Sequence, residues 1–160
     1  MIMITLIVQI KDLQNWCQEN ENKNMTEKKM IKYDGGCICG EIKFTVKLDE
    51  KPRVFNCHCV DCRKKMGGVI TIIQLRENTL EVDENKLSKY THLGGSKNII
   101  TKSFCKKCAA PLTTYVEKWG VSYLYAGLLN DVSSLKYAKN IFYEDSHFPF
   151  MKINEEELVV

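Results

Sequence analysis

The chain has 160 residues, 44% of them hydrophobic and 27% charged, with a net charge of +3. That length suits one domain with a core of its own, and so mild a charge leaves no electrostatic footprint for nucleic acid. No stretch has the length and apolarity of a membrane-spanning helix, so neither DNA nor a bilayer is an expected partner.

Met1–Ile10 is apolar but lacks a basic flank and a small-residue cleavage site, and it reads neither as a signal peptide nor as a span. Gln14–Asn24 is polar and poor in core-forming residues. Residues 1–30 are therefore expected to be an appended segment, and Met25 offers an alternative start. Cys17 has no partner at metal-binding spacing and is taken as a bystander.

From Lys32 the pattern is β. Glu41–Leu48 alternates strictly, with Ile42, Phe44, Val46 and Leu48 on one face. Gly35-Gly36 before it and Asp49–Pro52 after it read as turns. Arg53–Asn56 is a second strand, Arg63–Met66 a single helical turn ended by Gly67-Gly68, and Val69–Leu75 a β-branched, buried strand. Further strands are expected at Thr79–Val82, Ser88–His92, Asn98–Phe104, Leu112–Val116, Val121–Ala126 and Lys139–Glu144. Many short strands and no long amphipathic helix predict an all-β domain over residues 31–150, followed by an acidic tail over 151–160.

Seven of the eight cysteines lie at metal spacing. Cys57-His58-Cys59-Val60-Asp61-Cys62 packs three thiols into six residues. In extended backbone Cys57 and Cys59 face one way and His58 the other, and Cys62 returns after a turn. Cys37-Ile38-Cys39 and Cys105-Lys106-Lys107-Cys108 supply four more sulfurs from distant segments. Zinc takes four ligands and favours thiolate at about 2.3 Å. The arithmetic gives one closed four-thiolate site and one three-thiolate site with a position left for water or ligand, the difference between structural and catalytic zinc. Pairs so close make poor structural disulfides, which points to a reducing, cytoplasmic setting.

Three thiolates on Zn²⁺ leave a charge near −1, a weak Lewis acid whose natural guest is another sulfur. A bound thiol would lose its proton and face an electrophilic carbon as a nucleophile. Arg63, Lys64 and Lys65 could balance this charge, Arg63 and Lys64 anchoring substrate carboxylates. Two plainer readings stand beside this: Asp61 or His58 closes the second site and both are structural, or the basic triplet is a solvated turn. His92 and His147, without cysteine neighbours, read as surface or packing residues.

The combined pattern, G-G-C-x-C-G at Gly35–Gly40, C-H-C-x-x-C-R at Cys57–Arg63 and F-C-x-x-C-x-x-P-L at Phe104–Leu112, resembles the glutathione-dependent formaldehyde-activating enzyme (GFA) family, which also includes centromere protein V. The resemblance covers Tyr33 to Phe150. It implies a β-tent fold of zinc-stapled small sheets, a structural zinc on Cys37, Cys39, Cys105 and Cys108, and a catalytic zinc on Cys57, Cys59 and Cys62. It also implies carbon–sulfur lyase activity on a small thiol adduct such as S-hydroxymethylglutathione. The alternative is a non-enzymatic zinc module binding nucleic acid or protein. Three positions depart from the family pattern: Asn140 in place of a frequent histidine, Phe150 in place of a tryptophan, and Ala109 in place of a knuckle glycine.

Overall fold

The computed structural model describes residues 29–136, 138–146, 148, 150 and 151. Most of the expected appended segment, His147 and all but the first residue of the acidic tail lie outside them. β1 (Met30–Gly36) and β2 (Lys43–Asp49) form an antiparallel hairpin, and β5 (Leu80–Val82) pairs with the other edge of β2. The alternation read from the sequence is realised: Phe44, Val46 and Leu48 are buried while Lys43 and Lys47 face solvent.

Gly35-Gly36 is not the turn that its sequence suggests. These residues end β1 in register with Phe44 and Lys43. Glycine is needed there for close approach: a Cβ on Gly35 would stand 2.3 Å from the Phe44 ring and 2.5 Å from the Leu128 carbonyl oxygen.

A second sheet has seven strands, β3 (Val54–Cys57), β4 (Ile70–Gln74), β6 (Leu87–Leu93), β7 (Ile99–Cys105), β8 (Pro111–Val116), β9 (Val121–Tyr125) and β10 (Lys139–Ile141), in the order β10-β3-β4-β9-β8-β7-β6. Only the β10–β3 pair is parallel. The strand expected over Lys139–Glu144 stops at Ile141, because Phe142 takes a left-handed φ of 55° and turns the chain into the short helix α2 (Tyr143–Ser146). The helical turn foreseen at Arg63–Met66 is longer, α1 (Val60–Met66), and closes on Gly67 at φ 78°.

The two faces of this sheet bury different things. Val54, Ile73, Leu112 and Leu124 pack with Ile42 and with Phe44, Val46 and Leu48 of the smaller sheet to form the main core. Each such fully buried side chain contributes about 1.5–3 kcal/mol. On the opposite face Phe55, Ile72, Val116 and Tyr123 form a second cluster, and this is the face that carries the cleft described next.

Candidate functional site

Cys37 and Cys39 sit on the turn between β1 and β2, Cys105 ends β7, and Cys108 lies in the turn before β8. A shift in strand register between Ser103 and Phe104 re-aims β7 as it enters this turn. Cys37 Sγ lies 3.4 Å from Cys39 Sγ and 3.7 Å from Cys105 Sγ, and Cys39 Sγ lies 3.8 Å from Cys105 Sγ. A tetrahedron of sulfurs about 2.3 Å from zinc has edges of about 3.8 Å, so the geometry fits such an ion. The Ile42 N–H donates to Cys37 Sγ at 3.2 Å and the Lys107 N–H to Cys105 Sγ at 3.4 Å. Burial pushes the Cys37 thiol up, but the Ile42 N–H and the neighbouring thiols outweigh it and bring the pKa down to about 6.

Ala109 follows Cys108 with φ 58°, a region that costs an L-residue about 1–2 kcal/mol. This explains what a glycine would do there. Ala109→Gly is expected to stabilise the protein by about 0.5–1 kcal/mol, the gain trimmed by glycine's freer unfolded chain, and to raise Tm by about 2 °C. Calorimetry showing a lower Tm would contradict that reading.

The second group is built from the end of β3 and the first turn of α1. Cys57 closes the strand, Cys59 caps the helix, and Cys62 stands one turn in, its N–H donating to Cys59 Sγ at 3.4 Å. The three sulfurs lie within 4.8 Å of one another and could hold a metal ion. Cys57 and Cys62 donate to Cys59 and hold its thiol down to about 3, against burial and with help from the Cys62 N–H and the charge of Lys102. Cys57 is pushed up by the same hydrogen bonds and by burial.

His58 points away from the trio, as strand alternation predicts. It is 2% exposed, its ring hydrogen-bonds Asn140 Oδ1 at 2.8 Å, and it stands edge-on to Tyr143. Asn140 thus serves the far side of β3. The Asp61 carboxylate accepts the Gly95 N–H at 2.7 Å and ties α1 to the loop between β6 and β7. Among the described residues, neither joins the three sulfurs as a metal-binding group.

A cleft of about 380 Å³ opens over the trio. Its walls are chiefly apolar and aromatic, including Phe55, Ile72, Ile100, Val116, Trp119 and Phe142. Arg63 and Lys64 do not line it; Arg63 is half-buried and Lys64 exposed. Lys65 lies over the Tyr90 ring at 4.9 Å. Sequence reasoning missed Lys102, Thr114 and Trp119, and it took His92 as peripheral although it lines the cleft, stacked on Tyr90. The available signal for Lys102 was its place two residues from Ile100 on one face of β7.

The sequence profile of the family described as glutathione-dependent formaldehyde-activating enzyme matches residues 32–145. The chain belongs to that family. Among curated relatives, a Halomonas elongata protein named "Putative glutathione-dependent formaldehyde-activating enzyme" is 32% identical over 91 residues, which make up 54% of this chain and 57% of that protein. The chain therefore matches little more than half the length of that relative. A crystal structure of a Rhodobacter sphaeroides protein aligns at a TM-score of 0.53 and 20% identity, covering 69% of this chain and 100% of that one. The likeness shows the fold. The GFA family member described here is thus an all-β protein of small sheets carrying two cysteine groups that could hold zinc. Among its described residues no helix is long and apolar enough to cross a membrane.

Proposed function

We propose that this GFA family protein is a zinc-dependent carbon–sulfur lyase that makes and breaks the bond between a small thiol and an aldehyde carbon, glutathione and formaldehyde being the pair in the family's name. One observation carries the reading: three sulfurs, and no fourth ligating group among the described residues, stand at the wall of an accessible cleft. Cys37, Cys39, Cys105 and Cys108 would hold a structural zinc, and Cys57, Cys59 and Cys62 a catalytic one. When bound at the trio, zinc supplies a fourth position at which a thiol sulfur is held as thiolate.

The chain's own residues do the rest. Cys57 and Cys62 come from a strand end and a helix turn, so the trio is fixed by backbone hydrogen bonds. The apolar walls limit water around the reacting carbon and strengthen every charge interaction inside. Substrate anchoring by Arg63 and Lys64 then falls to that part of the thiol which extends out of the cleft, since both follow Cys62 on α1 outside the lining.

Exchange spectroscopy at equilibrium tests the proposal, because thiols add to formaldehyde without help. The zinc-loaded protein is expected to raise exchange between free and adduct formaldehyde by at least about 10²-fold over background, in proportion to protein concentration. An exchange rate that protein does not change overturns the lyase reading.

A further inference from the structure

We infer that Lys102 is a catalytic residue of the cleft, its ammonium holding the oxygen of the aldehyde carbon as the carbon–sulfur bond forms or breaks. The inference rests on the lyase reading above and names the polar group which that reading lacks.

Lys102 is 3% exposed yet lines the cleft together with Cys57, Cys59 and Cys62. It lies on β7 two residues from Ile100, in register with Thr114 of β8, and both of these also face the cleft. Charged lysine is almost never fully buried unless paired. Lys102 is in none of the side-chain ion pairs seen among the described residues, such as Arg76–Asp49, Lys86–Glu41 and Lys89–Glu84. A partner it does meet is neutral, the Tyr125 hydroxyl. Tyr125, whose hydroxyl bonds Thr114 Oγ1 at 3.1 Å, has its pKa raised by burial and partly restored by the charge and hydrogen bonding of Lys102.

A lysine that shares the lining of an otherwise chiefly apolar cleft with the three sulfurs can meet, besides their own negative charge, the charge that a substrate brings. Thiol addition puts such charge at one atom. The sulfur lone pair attacks the carbonyl carbon, the S–C bond forms, and the C=O π pair moves onto oxygen. Lys102 donates an N–H hydrogen bond to that oxygen; the thiol gives up its proton to water at the cleft mouth, and the oxygen takes a proton back from that water, so the adduct forms with no net gain or loss of protons. Cleavage runs the same steps backward, and the proton exchanged at the oxygen comes from and returns to water. Such a donor, fixed before the charge develops, is the arrangement that lowers barriers to carbonyl addition.

The test compares wild type with Lys102→Met, and with Lys102→Gln, which keeps an N–H donor and carries the comparison if the methionine variant does not fold. Calorimetry measures binding of ethanethiol and of thioacetate, which carries an oxygen on the same carbon as its sulfur. The preference for thioacetate over ethanethiol is expected to fall about tenfold or more in Lys102→Met, with zinc content retained and kcat for adduct exchange down about 10²–10³-fold. A general loss of positive charge would weaken both ligands alike, so an unchanged preference, or an unchanged kcat, overturns the role. A wild-type protein that binds neither thiol overturns the lyase reading as well, and it shows itself before any variant is made.

Discussion

Cys59→Ser is expected to remove one zinc ion per chain and reduce adduct exchange to the uncatalysed rate, while leaving the fold in place. The activity follows from the ligand count, since two sulfurs cannot hold the ion that three hold, and the excess metal is readily lost. The intact fold follows from the second task of Cys59. Its sulfur caps α1 by accepting the Cys62 N–H, and serine is among the best residues for that position. Tm is therefore expected to move by only about 2–4 °C, equivalent to about 1 kcal/mol. Elemental analysis, melting and exchange on one preparation check all three, and a variant that keeps its full zinc content would refute the assignment.

Cys105→Ser is expected to behave in the opposite way and lose the fold itself. Cys105 is 0% exposed at the end of β7, and its sulfur reaches Cys37 and Cys39, which lie 68 and 66 positions away in sequence. An ion on these sulfurs would fasten the small sheet to the large one. Binding energies of structural zinc run to about 10–16 kcal/mol, against net stabilities of about 5–15 kcal/mol. The variant should lose chemical-shift dispersion and cooperative melting. A folded protein with wild-type Tm would show that this group is not a staple.

The two variants are expected to differ because the two groups differ in reach, and reach also governs how far the sequence can be read. The trio is local, so its spacing alone names its members. The four-cysteine group spans the chain but uses two short pairs, each legible by itself. Strand alternation at Ile42–Leu48 was equally plain because one face is buried and the other solvated.

Other features depend on pairing that no local pattern reveals. Gly35-Gly36 looked like a turn because glycine usually marks one, whereas here it admits the Phe44 ring against the backbone. The strand at Lys139 was read too long because nothing in Ile141-Phe142-Tyr143 announces a positive φ at a phenylalanine. Lys102 carries only a weak local signal, its spacing of two from Ile100, for the same kind of reason. A lysine in a strand reads as solvent-facing, and only the placing of β7 beside β8 in the seven-stranded sheet puts it on the cleft face.

The central claim is an ion on Cys57, Cys59 and Cys62 with one position open to a substrate sulfur, and zinc K-edge absorption measures it directly. With two ions per chain, the mean sulfur count is expected to be about 3.5 per zinc in the resting protein and to rise to about 4 when thiol is added. A count that thiol leaves unchanged would contradict the account.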